Sequence, residues 1–350
     1  MSDGPPLPRP RARARGITIG ARPPGPTNSI VDVPGVRVGH ITCWAGQSTR
    51  TGVTAVLPGD PADLWWRPMA SGSAVLNGTG ELTGALKARE WGQVETPILL
   101  TSTGAVGRGY DAVVDHLFAT VPEAGADHLL IPMVGECDDS WLDEARQRAV
   151  TVEHCRGAIE AATADPVAMG GVGVGTGMVS FGLKGGIGSA SRWVDELEAT
   201  VGVLLLANHG DLPELTVAGD PLGRRLVAEG FRAAGDDPDG SCVVIVATDA
   251  PLDAHACSRL ARRAGLGLAR GGSVAHHGSG EIFTAFSTTV RGERRPSSTT
   301  TTRTVVAHRH IDPLFVAVIE ATEEAALDAL CVADTVTGFR GHRAEGLPLG

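Results

Sequence analysis

Residues 242–247, C-V-V-I-V-A, form an unbroken aliphatic run of strand length. A strand written this way suits the middle of a sheet, where both faces are covered. The residues before it have the opposite character. D-D-P-D-G, residues 236–240, is a loop of acids, a proline and a glycine, and Ser241 is the first residue past it. A small hydroxyl therefore stands at the mouth of a buried strand, behind a turn open to cleavage.

Other strands are predicted on both sides of this one. The alternation I-V-D-V-P-G-V-R-V-G-H over 30–40, with a Pro-Gly turn inside it, predicts two short strands. Residues 55–57, 98–101, 129–134, 201–207 and 282–287 read as further strands. Leu82, Leu86 and the alanines between them predict a helix over 80–90. A second helix opens at Asp249-Ala250-Pro251, with Ala256, Leu260 and Ala264 on one face and Gly265 as its end. Asp312-Pro313 starts a third, carrying Leu314, Phe315, Val318 and Ile319. Thr322-Glu323-Glu324 caps a fourth, with Leu327, Leu330 and Cys331 inward and Gly338 as terminator. Residues 291–304 form a polar Ser/Thr/Arg loop. Strands mixed with helices, without strict βαβ alternation, favour α+β layers over a doubly wound sheet.

Composition narrows the class. Hydrophobic residues make up 42% of the 350 but aromatics only 4%, so the core is aliphatic. The 47 glycines are spread along the chain and imply tight turns and close backbone contacts. Residues 1–28, rich in Pro, Arg and Gly, are expected to be a flexible segment, and 29–350 a single catalytic domain. The basic stretch R-P-R-A-R-A-R (9–15) reads as solvated surface, since the net charge is −10 and a nucleic-acid partner is not expected. The apolar runs are too short to span a bilayer, and no secretory apolar region follows the arginines. Six cysteines without a C-x-x-C pair read as reduced, buried thiols of a cytoplasmic protein.

The candidate chemistry is sparse. G-G-V-G-V-G-T-G (170–177) matches neither G-x-G-x-x-G nor a Walker spacing, and reads as a flat strand that other groups approach closely. No G-x-S-x-G is present, so a nucleophile elbow is not expected. His276-His277 and His308-x-His310 are the histidine clusters. Neither supplies a ligand set, so no metal or cofactor is expected. Attention returns to Gly240-Ser241. Cleavage between them leaves Ser241 with a free α-amine beside its hydroxyl. Such an amine, with an ordinary pKa of about 7.7–8.0, can accept a proton near neutrality. Gly240 leaves its carbonyl unshielded. On local sequence alone an ordinary loop-to-strand junction is the commoner reading. A second signal is H-G-S-G-E (277–281), where Ser279 and Glu281 fall on one side of a strand and can relay a proton.

With these residues in place, the chain resembles the DmpA-type L-aminopeptidase/D-esterase family, self-cleaving serine aminopeptidases that include the β-peptidyl aminopeptidases. The resemblance runs from about residue 28 to about 342. It is carried by N-S-I-V-D-V-P-G-V-R-V-G-H (28–40), L-N-G-T-G-E-L-T-G (76–84), G-T-G-M-V-S-F-G-L-K-G-G-I-G-S-A-S-R (175–192), V-G-V-L-L-L-A-N-H-G (201–210), D-G-S-C-V-V-I-V-A-T-D-A-P-L (239–252), H-G-S-G-E-I-F-T-A-F-S-T (277–288) and D-P-L-F-V-A-V-I-E-A-T-E-E-A (312–325).

The resemblance implies a four-layer αββα sandwich like that of N-terminal-nucleophile hydrolases, with the strand connectivity of this family and of ornithine acetyltransferases. It implies self-cleavage at Gly240-Ser241 into an α chain (1–240) and a β chain (241–350), assembled as homo-oligomers. Ser241 matches the nucleophile, Ser279 and Glu281 the residues completing the catalytic set, and Asn208 an oxyanion donor. Glu136 matches the acid that pairs with the substrate's amine, since a buried ammonium needs a partner. The implied substrate is a small peptide, amide or ester with a free amine. One position departs: some members carry a tyrosine two residues after that acid, where this chain has Asp138. It is left two roles, joining Glu136 on the ammonium or pointing away. Two alternatives stand beside this reading: an acyltransferase of the ornithine-acetyltransferase type, against which a serine nucleophile argues, and a non-catalytic relative that binds small amines.

Overall fold

The computed structural model describes residue 4 and residues 6–126, 128–235 and 240–349. The acids at 236–239, read above as the loop before Ser241, lie outside the described residues. The first half runs β1 (Arg37–Ala45), β2 (Thr49–Leu57), α1 (Pro61–Trp66), β3 (Met69–Asn77), α2 (Ala85–Glu90), β4 (Gln93–Val94), β5 (Ile98–Ser102), α3 (Val106–Thr120), β6 (Met133–Cys137) and α4 (Val152–Glu160). The second runs β7 (Val179–Ser180), β8 (Leu183–Lys184), β9 (Gly186–Val194), β10 (Ala199–Asn208), α5 (Leu222–Ala228), β11 (Ser241–Thr248), α6 (Ala254–Arg270), β12 (Gly280–Arg291) and α7 (Asp312–Val332).

Two mixed sheets result, one ordered β1-β2-β5-β6 and the other β4-β3-β12-β11-β10-β9. Each contains one parallel pair bridged by a helix: α3 joins β5 to β6, and α6 joins β11 to β12. Three apolar clusters define four layers. Cys242, Val244 and Val246 of β11 pack with α6 and α7. The intervening Val243, Ile245 and Ala247 face the other sheet, where they meet Ile98 and Leu100 of β5. On the far side, Leu99 of β5 and Val53 and Ala55 of β2 pack with α3 and α4. Period-2 alternation along a strand with no polar face thus delivers side chains to two separate cores. The architecture is the αββα sandwich, and β11 sits in the middle of it.

Several local expectations shift. Residues 30–32 form a 3-10 turn closed by a Ser29–Asp32 capping box, so only one strand follows the Pro-Gly turn. The strand expected over 129–134 begins at Met133, and Leu129 is exposed. The glycine-rich run is not a strand; Gly173–Gly177 is a buried 3-10 turn. Helix α6 starts at Ala254, where the Asp253 carboxylate accepts from Ala256 N at 2.7 Å. It continues through Gly265, where a side chain would crowd the Phe283 ring at 3.3 Å. The two helices expected over 312–332 are one, because Thr322, Glu323 and Glu324 are buried within it rather than capping a second helix.

The N-terminal segment also behaves differently. Its regular structure is limited to a 3-10 turn at Arg13–Arg15, but the basic stretch is not solvated surface. Arg11 Nε donates to Asp328 at 2.8 Å and Arg13 Nε to Glu324 at 2.6 Å, both carboxylates buried on α7. Ala12 and Ile19 are buried beside that helix. The segment is a strap over the outer helical layer.

Candidate active site

Ser241 is the first residue of β11. On one side it is paired with Asn208, the last residue of β10, and on the other with Gly280, the first of β12. Three strand ends therefore meet at one edge of the large sheet. By alternation the Ser241 and Asn208 side chains share the face of Leu206 and Val243, which looks toward the other sheet. Glu136, near the end of β6, comes from that other sheet. Ser241, Asn208, Glu136, Asp138 and Gly240 all line one cavity of about 700 Å³, joined by Thr79, Gly80, Thr103 and His209.

Each polar group is held by partners that few sequence cues announce. Asn208 Oδ1 accepts from Val179 N at 2.9 Å, and its Nδ2 donates to the Asp138 carbonyl at 3.0 Å. One amide hydrogen remains. Glu136 Oε1 accepts from Glu81 N at 2.9 Å, and its Oε2 accepts from Thr103 Oγ1. The Asp138 carboxylate is bonded to Ser140, through the backbone N at 3.0 Å and Oγ at 2.8 Å. Asp138 lines the cavity while its carboxylate is bonded to Ser140, and these contacts leave both of its expected roles open. Gly240 cannot carry a side chain: a Cβ there would lie 2.1 Å from the Asn208 carbonyl oxygen. The Gly240 carbonyl accepts from Gly280 N at 3.0 Å.

Ser279 and Glu281 are both buried and do not line the cavity. Ser279 Oγ donates to Glu281 Oε1 at 2.5 Å. Glu281 lies opposite Cys242 in the ladder, on the helix-facing side of the sheet. The pair therefore flanks the backbone at the start of β11 rather than the Ser241 hydroxyl. Burial pushes the Glu281 carboxyl above its ordinary value, against the Ser279 hydrogen bond and His276, and its Oε2 has no partner among the described residues. Asn77 Nδ2 pins this turn, donating to the carbonyls of His276, His277 and Ser279 at 2.9, 3.0 and 2.5 Å.

Three further groups escaped the sequence reading. Burial raises the Cys137 thiol far above its ordinary value, and neighbouring Ser241 works against that rise. Burial lowers His209 to about 4, so its imidazole is neutral, and neither ring nitrogen finds a partner among the described residues. Lys184 is wholly buried and donates to the carbonyls of Gly175, Met178 and Gly185. Thr103 and Lys184 look like ordinary residues in sequence; only folding brings them to the site. Among the described residues no group of three or more His, Cys, Asp or Glu is placed to hold a metal ion, and no helix is long and apolar enough to cross a membrane.

The model of peptidase family S58 matches residues 28–344. A β-peptidyl aminopeptidase, BapA, of Sphingosinicella xenopeptidilytica is 39% identical over 97% of this chain and 89% of its own length. The solved structure of a Burkholderia sp. β-aminopeptidase superposes with a TM-score of 0.90 at 42% identity, covering 97% of this chain and 96% of that one. That of the L-aminopeptidase D-Ala-esterase/amidase of Ochrobactrum anthropi, described as a variant of the Ntn hydrolase fold, gives 0.89 at 32% identity with the same coverage. These matches favour an aminopeptidase over the acyltransferase alternative.

Proposed function

The chain belongs to peptidase family S58 and is an aminopeptidase, and on that premise we propose that it cuts itself between Gly240 and Ser241 and then uses Ser241 as an N-terminal nucleophile. The observation that carries this reading is the meeting of Ser241, Asn208 and Glu136 in one cavity, with Gly240 pinned behind them.

In the first step Ser241 Oγ attacks the Gly240 carbonyl carbon. That carbonyl is already polarised by the Gly280 N–H. The C–N bond breaks as the ester forms, the leaving nitrogen takes the hydroxyl proton, and water then hydrolyses the ester. The new α-amine now stands beside the freed hydroxyl. In the second step the same oxygen attacks a substrate carbonyl and the α-amine takes its proton. The tetrahedral intermediate collapses with cleavage of the C–N or C–O bond, the leaving amine or alcohol takes that proton, and water then hydrolyses the acyl-enzyme to free Ser241. Asn208 donates its remaining amide hydrogen to the oxyanion. Glu136, with both oxygens oriented by Glu81 N and Thr103, binds the substrate's ammonium. The place of Ser279–Glu281, behind the backbone, suits hydrogen bonding to the α-amine, tuning that base rather than replacing it. The bonds from Ser140 engage both Asp138 oxygens and temper its charge at the cavity wall.

The substrates are small peptides, amides or esters with a free amine. The relatives named as β-peptidyl aminopeptidases put β-amino-acyl amides first in a screen. We hold the working form to be an oligomer of cleaved units in the cytoplasm; six free, buried thiols support a reducing compartment.

Intact mass spectrometry and denaturing electrophoresis, beside Ser241→Ala, test the reading. Two fragments summing to the whole chain, a new N-terminus at Ser241 and no cut in the variant are expected. A single uncut, inactive chain in both samples overturns it and favours the amine-binding alternative.

A further inference from the structure

Lys184 is wholly buried, yet no acid pairs with its ammonium by direct contact among the described residues. Its three hydrogens go to three backbone carbonyls: Gly175 O at 2.8 Å, Met178 O at 2.9 Å and Gly185 O at 2.8 Å. An isolated ammonium is among the costliest groups to bury, and it is tolerated only where acceptors replace its water. Three carbonyls converging from the 3-10 turn at Gly173–Gly177, the residue after it and the residue after β8 satisfy that condition. The arrangement calls for a reason beyond packing, which an aliphatic residue of similar volume would achieve more easily.

The reason lies one peptide further on. The Met178 carbonyl and the Val179 N–H belong to the same peptide group. The carbonyl accepts from Lys184 Nζ, and the N–H donates to Asn208 Oδ1 at 2.9 Å. Asn208 Nδ2 in turn donates to the Asp138 carbonyl and faces the cavity beside Ser241. A continuous relay therefore runs from the buried Lys184 amino group, which burial lowers to about 7 against the opposing pull of Asp139, through one peptide plane and one side-chain amide, to the place where the oxyanion forms. Gly185 N donates to the same Met178 carbonyl at 3.0 Å and keeps that plane from rotating. Hydrogen bonds in series polarise one another, and a cation at one end draws electron density away from the other.

We propose that Lys184 is a positioning residue for the oxyanion site: through the Met178–Val179 peptide it fixes the orientation of the Asn208 amide and strengthens its remaining N–H as a donor. Lys184 does not touch substrate. It acts where negative charge appears only in the transition state, so its effect falls on kcat and not on KM. The proposal rests on the reading of Asn208 as oxyanion donor.

The test is a double-mutant cycle of Lys184→Met and Asn208→Ala in the full chain, with kcat and KM measured on an amino-acyl p-nitroanilide. The self-cleavage rate serves as readout for any variant that stays a precursor. Lys184→Met is expected to lower kcat at least about tenfold, short of the roughly 10²–10³ for loss of an oxyanion donor, with KM changed less than about threefold. In the Asn208→Ala background it is expected to cost almost nothing, because the group it orients is gone. A purely structural lysine gives equal losses in both backgrounds, and that additivity overturns the proposal. Asn208→Ala without effect instead overturns the reading of Asn208. Should Lys184→Met not fold, Lys184→Gln, which keeps a neutral N–H donor, supports the same cycle.

Discussion

Asn208 and Ser241 face each other across the β10–β11 ladder as the last residue of one strand and the first of the next. Their side chains share one face and open into one cavity. The amide hydrogen left on Asn208 Nδ2 is therefore available to a charge that develops next to Ser241. Asn208→Ala is expected to lower kcat by about 10²–10³-fold while leaving KM nearly unchanged, the pattern for a donor used only in the transition state. Steady-state kinetics on the processed enzyme check this, and a change confined to KM would count against it.

Glu136 makes a complementary case. Its two oxygens already accept from Glu81 N and Thr103 Oγ1, so the carboxylate is aimed before substrate arrives. Glu136→Gln removes the charge and leaves the shape. Losing one partner of a buried ion pair costs about 3–5 kcal/mol, so kcat/KM for free-amine substrates should fall by about 10²–10⁴-fold. N-acetylated analogues, which lack the ammonium, should be poor with both enzymes and show little difference between them. Parallel kcat/KM measurements on the two substrate classes decide it.

The unbroken apolar runs at 201–207 and 242–247 pointed directly to β10 and β11, because a strand buried on both faces has no other way to be written. The strap and α7 were not legible for the converse reason. Glu323 and Glu324 look like a helix start until Arg13, Arg192 and Arg270 arrive from distant parts of the chain to neutralise them. The run at 170–177 failed similarly: Gly173 takes φ +53°, and a side chain there would meet Thr54 Oγ1 at 2.5 Å, a constraint set by β2 rather than by neighbours in sequence. At the site, Ser241, Ser279 and Glu281 stood out locally, while Glu136 and Asn208 followed from the family resemblance. Lys184 and Thr103 gave no signal, since both act through contacts made only on folding.

Glu281 links the site to stability. Burial raises its carboxyl above the ordinary value, and one oxygen has no partner among the described residues. The folded state then holds a proton more tightly than the unfolded one. Between the unfolded value and the raised folded value, stability falls as pH rises. Glu281→Gln, which carries no charge to bury, should lose that slope, so its melting temperature relative to wild type should climb between pH 4.5 and neutrality. Activity of the variant should be lower than wild type because the Ser279–Glu281 pair no longer tunes the α-amine. Calorimetry at several pH values is the check, and parallel wild-type and variant curves would remove Glu281 as the source.

Self-cleavage, if it proceeds as proposed, places α7 on one chain and its main ionic partners on the other. Arg192 is wholly buried and donates to Glu324 Oε2 at 2.6 Å and to Glu320 Oε2 at 3.2 Å, while Arg13 reaches Glu324 from the strap. Burial alone would raise the Glu324 carboxyl, but Arg13, Arg192 and Asn28 outweigh it and hold it below 4.5. Its contribution is present above that value and is lost as pH falls through the depressed one. Arg192→Met removes the cation shared by two buried carboxylates, leaving Glu324 to Arg13 and Asn28 and Glu320 to the backbone N–H groups of Ala21 and Arg22, and is expected to cost up to about 3–5 kcal/mol in urea unfolding of the processed enzyme at neutral pH. Arg22→Ala, which breaks a solvent-exposed pair with Glu196, should leave the midpoint almost unchanged. Repeating the Arg192→Met comparison at successively lower pH should shrink the gap as Glu324 passes through its depressed value, because a protonated carboxyl no longer needs the cation; a gap that stays the same at every pH would mean that Arg192 acts through packing alone.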